Sequence, residues 1–268
     1  MINRRAAVAL LAALPLGGLA AGCAAGDNPR GSHQEQIGDA PPLAGADRLK
    51  TVIVIYPGCT LLDFIGPYTA LAEVSTFKFA WLDTAPIASD VGARFLPTAT
   101  LREVKADVDV LLVPGGSDVS SAIGNQAFVK EVSRIGQLSR YVTSVCTGAL
   151  ILGAAGLLDG YRAATHWTAM DLLPLVGATP VHERVVKDRN RITAGGVTAG
   201  IDFGLELVKE LVGEREAKFS ELLMEYDPAP PFDGGSPNKA DPEILELLTN
   251  LSQPSTDRAR EELRKIRR

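Results

Sequence analysis

Histidine and cysteine each occur only three times, and basic residues are outnumbered by acidic ones, 27 to 32. Three histidines without clustered ligand spacing leave no pattern that would hold a zinc ion. The net charge is −5, and setting aside the first 22 residues, which carry two arginines and no acid, leaves −7. Such a chain offers no basic face to neutralise phosphates, which argues against nucleic-acid binding. No apolar run approaches the roughly 20 residues of a membrane-spanning helix. There is no internal repeat. What remains, 46% hydrophobic and 6% aromatic in 268 residues, is the composition of an Ala/Val/Leu-rich globular α/β protein with a substantial core.

The N-terminus stands apart. Arg4 and Arg5 precede an apolar stretch from Ala6 to Leu19, and Ala20-Ala21-Gly22-Cys23 follows. A basic start, a short apolar region and a small-residue cleavage site describe an export signal over 1–22. The residues before Cys23 resemble a bacterial lipoprotein processing site, with Ala20 standing where a larger aliphatic is usual, so lipidation at Cys23 is expected. The Arg4-Arg5 pair also loosely resembles a twin-arginine signal. A polar tether, 23–47, then leads to the folded part and contains the solvated His33. The expected location is the periplasm or cell envelope.

From Leu49 the pattern is regular. Thr51 to Tyr56 is a continuous apolar run closed by Pro57-Gly58, as in a strand buried on both faces. Pro67 to Val74 reads as a short helix, and Lys78 to Leu82 as a second strand. Val108 to Val113 is a third strand, closed by Pro114-Gly115-Gly116. Phe128 to Ser139 has helical spacing, and a strand from Tyr141 follows. Val181 to Thr193 reads as a hairpin turning at Asp188-Arg189-Asn190. Ile201 to Leu211 is an apolar-striped helix, extended by Glu214 to Met224. A Pro/Gly-rich stretch then leads to a helical tail, 239–268, that Pro254 is expected to interrupt. Alternating strands and helices predict one α/β domain with a mostly parallel sheet, spanning 48–238.

In such sheets ligands bind where βα turns converge at the carboxyl ends of the strands. Ser144-Val145-Cys146-Thr147-Gly148 has the small-x-Cys-x-Gly spacing of a nucleophile elbow, a sharp strand-to-helix turn that lifts its central side chain from the sheet. At a helix N-terminus a thiolate is stabilised by unpaired amides; the alternative is a cysteine that merely fills the core. Asp63, four residues after Cys59, is either a helix N-cap or a carboxyl whose burial suits it to acid catalysis. Gly115 and Gly116 either form a tight turn or aim their amides at developing negative charge.

The ordered motifs carry a resemblance. Leu62-Asp63-Phe64-Ile65-Gly66-Pro67, Val113-Pro114-Gly115-Gly116, Tyr141 through Gly148, Thr165-His166-Trp167 and Gly195 through Asp202 are similar to the PfpI-type branch of the class I glutamine amidotransferase-like superfamily. The match runs from about Leu49 to Pro237. It implies a flavodoxin-like three-layer sandwich, a homodimer with the pocket near the subunit boundary, a small-molecule substrate and no cofactor or metal. Cys146, Asp63 and Thr147 together point to the isonitrile-hydrating members. Cys146 is then the nucleophile, Asp63 the acid/base partner, and Thr147 positions water or substrate. The thiolate adds to the terminal isonitrile carbon while Asp63 protonates it, and water releases an N-substituted formamide.

The histidines separate other relatives. Peptidases of this type place histidine directly after the cysteine, where this chain has Thr147. Amidotransferases need a His-x-Glu pair, whereas His182 and Glu183 are adjacent. His166 is the remaining candidate base, with a structural role beside Trp167 as its alternative. AraC-type regulators share the sandwich but add a helical DNA-binding module, for which the roughly thirty residues after Pro237 are too few. A non-catalytic ligand-binding exported protein, or a related cysteine hydrolase or deglycase, are the competing functions. Cys59 is either a filler of a small apolar site or, in an oxidising compartment, a disulfide partner for Cys146.

Overall fold

The apolar runs form the centre of one sheet because each is flanked on both sides by helices. The computed structural model describes residues 48–105 and 107–266; the expected export signal, Cys23 and the tether lie outside the described residues. In chain order the elements begin with β1 (Leu49–Val54), α1 (Leu61–Leu71) and β2 (Ser75–Trp81). Three two-residue strands follow: β3 (Ile87–Ala88), β4 (Arg94–Phe95) and β5 (Ala99–Thr100). Next come β6 (Val108–Val113), α2 (Ser120–Gly124), α3 (Gln126–Leu138), β7 (Ser139–Val145) and α4 (Gly148–Ala154). After β8 (Arg162–Ala163), a tight helical segment of 3-10 type, Trp167–Val176, leads to β9 (Thr179–Pro180). The chain ends with β10 (Val185–Asp188), β11 (Arg191–Ala194), α5 (Ala199–Leu211), α6 (Glu214–Leu223) and α7 (Pro242–Ile266).

Seven strands make the main sheet in the order β10-β11-β7-β6-β1-β2-β5, and every pair is parallel except β10 with β11. The crossover from β1 to β2 runs in one direction along the sheet, and that from β6 to β7 in the other. Since such crossovers are right-handed, α1 and α3 lie on opposite faces. This is the expected flavodoxin-like sandwich. Val52 to Ile55, Val110 to Val113 and Val142 to Val145 are buried without interruption, each apolar side chain contributing roughly 1.5–3 kcal/mol. The strand order reverses at β1 and β6, so the crevice outside their carboxyl ends, with β7 alongside, is where this topology builds a site.

Three elements differ from the sequence expectation. α1 starts at Leu61 rather than Pro67; Pro67, taken as a helix start, sits inside the helix and removes the amide that would bond to the Asp63 carbonyl. The 181–193 hairpin is confined to Val185–Ala194, leaving His182 and Glu183 exposed ahead of it. The C-terminal helix is not interrupted at Pro254 but runs through it. An interior proline costs about 3 kcal/mol, and docking of the following turns offsets it. Ala259 and Leu263 are buried, and Arg258 pairs with Asp118 and Arg260 with Asp171 at 2.8 and 2.6 Å.

α4 begins so close to the end of β6 that only glycine fits. A Cβ at Gly148 would lie 2.2 Å from the carbonyl oxygen of Val113 and 2.8 Å from Pro114, backbone atoms that cannot step aside. Gly148→Ala is therefore expected to lower the unfolding free energy by about 2 kcal/mol or more, read from the urea midpoint. A wild-type midpoint would contradict this packing.

Candidate active site

Three turns deliver the chemistry and are stitched to one another. After β1, the Thr60 amide donates to the Gly115 carbonyl at 2.8 Å, and Cys59 forms an isolated antiparallel bridge with Gly116. After β6, the Gly115 amide donates to Asp63 Oδ2 at 2.8 Å. The Gly116 amide donates to Thr147 Oγ1 at 3.0 Å, and that hydroxyl donates back to the Gly116 carbonyl at 2.9 Å. After β7, the Cys146 amide donates to Ala194 at 3.1 Å, and its carbonyl accepts from Thr165 Oγ1 at 2.9 Å. A Cβ on Gly115 would meet the Thr147 amide at 2.5 Å, so glycine is required where the turns cross.

Cys146 adopts φ 58°, in the left-handed region that a side chain enters only when its surroundings hold it there. This is the elbow. The thiol is not the ready thiolate that a helix N-terminus would give. Burial pushes its pKa well up, the Asp63 charge pushes in the same direction, and the Thr147 amide and hydroxyl pull only weakly the other way. α4 is a helix of two turns, and its end dipole does not outweigh the desolvation of a thiol 5% exposed.

Asp63 is fully buried in the first turn of α1, where Thr60, not Asp63, is the N-cap. Burial raises its pKa from 3.8 to about 7, against the Gly115 amide, which lowers it; Asp90 adds a smaller push upward. Its carboxyl interacts side chain to side chain with the Cys146 thiol. Oδ1 has no partner of regular hydrogen-bond geometry among the described residues. A neutral carboxyl with one uncommitted oxygen beside a neutral thiol is equipped to hand over a proton.

The two amides expected to face developing negative charge are engaged inside the protein, Gly115 with Asp63 and Gly116 with Thr147, while Gly116 also lines the cavity. The Thr147 hydroxyl gives its proton to Gly116 and accepts from the Gly116 amide, keeps one lone pair, also acts on the Cys146 thiol, and lines the cavity. Thr147 fixes the elbow against β6. His166 borders the site, but its Nδ1 serves as the N-cap of the Trp167–Val176 segment, 2.8 Å from Thr168 Oγ1. Burial lowers its pKa, so the ring is neutral at pH 7. Cys59 and Cys146 are both free, buried thiols, with no disulfide between them; Cys59 is 1% exposed in the core. No group of three or more His, Cys, Asp or Glu residues placed to hold a metal occurs among the described residues.

Above Cys146 opens a cavity of about 410 Å³, within the range of small-molecule sites. Leu150, Trp167, Leu172 and Val197 wall it, and Leu248, Leu251, Ser252, Ser255 and Thr256 of α7 line another side. The sequence reading missed that wall, although Leu248, Leu251, Ser255, Ala259 and Leu263 repeat at helical spacing. It also missed Asp90, which lies on the β3–β4 turn and lines the cavity.

The profile of the DJ-1/PfpI family matches residues 49–210. The isonitrile hydratase of Pseudomonas putida is 44% identical over 209 residues, covering 77% of this chain and 91% of that one. A helix-turn-helix type transcriptional regulator of Pseudomonas aeruginosa, CdhR, is 28% identical over 61% of this chain but only 51% of its own length. Among solved structures, a THiJ/PfpI family protein from Pseudomonas syringae superposes with a TM-score of 0.80 at 37% identity, over 84% of this chain and 98% of that one. The chain belongs to the DJ-1/PfpI family.

The raised pKa of Asp63 has a thermodynamic signature. Between 3.8 and about 7 the folded chain holds a proton on Asp63 that the unfolded chain has lost. The folded state binds more protons in that window, so stability falls as pH rises through it and levels off above. The unfolding free energy of wild type minus that of Asp63→Asn is expected to decline from pH 4 to 7 and then stay flat. A difference independent of pH would contradict a protonated Asp63.

Proposed function

We propose that this protein adds water to isonitriles, giving N-substituted formamides, with Cys146 as nucleophile and Asp63 as proton donor and acceptor. The observation that carries the reading is the fully buried Asp63 carboxyl, with Oδ1 uncommitted, against the Cys146 thiol. An isonitrile carbon carries a lone pair and turns electrophilic on protonation, so the first demand is an acid at that carbon. Asp63 gives its proton to the terminal carbon as Cys146 Sγ bonds to it, and the thiol proton passes to the carboxylate thus formed. The result is a neutral thioformimidate on Cys146. Water adds across its C=N bond, nitrogen taking one proton. The C–S bond then breaks while the hydroxyl proton returns through Asp63 to sulfur. One water is consumed, and one C–H, one N–H and one C=O bond are formed. No oxyanion builds up, which agrees with glycine amides already spent on Asp63 and Thr147.

The 44% identity to the Pseudomonas putida isonitrile hydratase supports the same reading, as does threonine rather than histidine at position 147. His166, neutral and capped onto its own helix, stands outside the proton path. We further propose that the mature protein is a homodimer of the kind the family resemblance implies. The basic-apolar-small pattern of residues 1–22 and Cys23 supports export to the cell envelope, with lipidation of Cys23.

Purified protein incubated with an alkyl isonitrile is expected to release the formamide, followed by chromatography. Cys146→Ala abolishes turnover. Asp63→Asn, which keeps the shape but holds no transferable proton, lowers kcat by about 10²- to 10⁴-fold. No turnover by wild type across several isonitriles would refute the function, and equal rates in wild type and Cys146→Ala would remove the thiol from it.

A further inference from the structure

The cavity above Cys146 contains one fixed charge. Among its described lining residues there is no lysine or arginine, and Asp90 is the single carboxylate. The nearest arginines of α7 are turned elsewhere, Arg258 to Asp118 and Arg260 to Asp171 and Asp257. Asp90 is exposed but tethered. Its backbone amide donates to the Cys59 carbonyl at 3.0 Å, and its Oδ1 accepts from the Leu61 amide at 3.1 Å. It thereby caps α1, where Thr60 provides no side-chain cap, and is held where it lines the cavity. No ion pair neutralises it among the described residues.

The α7 wall repeats the preference. Ser252, Ser255 and Thr256 line the cavity from α7, and each hydroxyl donates its proton to a carbonyl of that helix. Ser252 bonds to Leu248 at 2.8 Å, Ser255 to Ser252 at 2.8 Å, and Thr256 to Ser252 at 3.1 Å. Their donors are spent, and what they have left to offer a ligand is oxygen lone pairs. The apolar Leu150, Leu172 and Leu251 line the same cavity. A carboxylate entering here would lose hydration, meet no cation and face a fixed negative charge. An ammonium would meet hydroxyl acceptors and a carboxylate in the same cavity.

We propose that the site selects isonitriles with an apolar body and a neutral or cationic far end, that it excludes those bearing a carboxylate, and that Asp90 sets this preference. The proposal rests on the hydratase reading for its substrate class, but not for its charge selectivity. Three isonitriles of matched length test it: 3-(dimethylamino)propyl isocyanide, pentyl isocyanide and 4-isocyanobutanoate. At low ionic strength, where screening is weak, kcat/KM for the cationic compound exceeds that for the anionic one at least tenfold, about 1.4 kcal/mol. Asp90→Asn keeps an acceptor for the Leu61 amide and removes the charge, and it reduces that ratio to within about threefold. The neutral compound, measured in both proteins, corrects for any general change in the site.

The same three compounds are titrated calorimetrically into Cys146→Ser protein, which reports binding without chemistry. If none turns over but the Kd values keep the order cation, neutral, anion, the hydratase reading fails and the charge selectivity stands. Equal kcat/KM for cation and anion overturns the proposal, as does a ratio unchanged in Asp90→Asn. Failure of all three compounds to turn over or bind overturns it as well.

Discussion

Asp63 has no access to solvent, and the chain commits a glycine amide and the start of a helix to holding it there. A carboxylate in that place would lose its hydration for a single amide contact, so the group keeps its proton to about neutral pH. The other features of the site follow from that condition. The Cys146 thiol, 5% exposed, has its pKa pushed up by burial in the same way, and in the proposed reaction the pair exchanges protons instead of separating charge. The glycine turn after β6 serves the pair from beneath, fixing Asp63 through Gly115 and the elbow through Gly116 and Thr147. Preorganisation of this kind, with donors already committed, is consistent with the proton transfer to carbon proposed above.

The site is built in two parts of different character. The reactive floor comes from the carboxyl ends of β1, β6 and β7, the most buried elements of the sheet, and its geometry is fixed by backbone packing at Gly115 and Gly148. The walls come from α7, the Trp167–Val176 segment and the β3–β4 turn. α7 lies beyond the stretch that matches the family profile, and is tied down by Ala259, Leu263 and two arginine pairs near its end.

Much of this was legible in the chain. Apolar runs closed by Pro-Gly or Pro-Gly-Gly marked β1 and β6, and the small-residue spacing around Cys146 marked the elbow, because each reflects a local steric demand that composition alone expresses. The convergence of their turns at one sheet edge raised Asp63 beside Cys146, and resemblance alone assigned the two their roles, since 83 positions of sequence separate groups that the sheet brings together. What escaped was set by tertiary context. Pro254 reads locally as a break, and only the docking of the turns after it reveals why the helix continues. Pro67 reads as a helix start until Leu61 is seen to begin the helix, capped from Asp90 on a distant hairpin. The expected thiolate failed for the same reason: a helix end is visible in sequence, whereas the desolvation that outweighs it is not.

The protonation of Asp63 is the claim on which the mechanism turns, and it is open to direct observation. Protein labelled with carbon-13 at the aspartate carboxyl, compared with Asp63→Asn to assign the signal, reports the titration of that one group. The account predicts a midpoint near 7, with the resonance of a neutral acid at pH 5. A midpoint near 4, with a carboxylate resonance at pH 5, would contradict it.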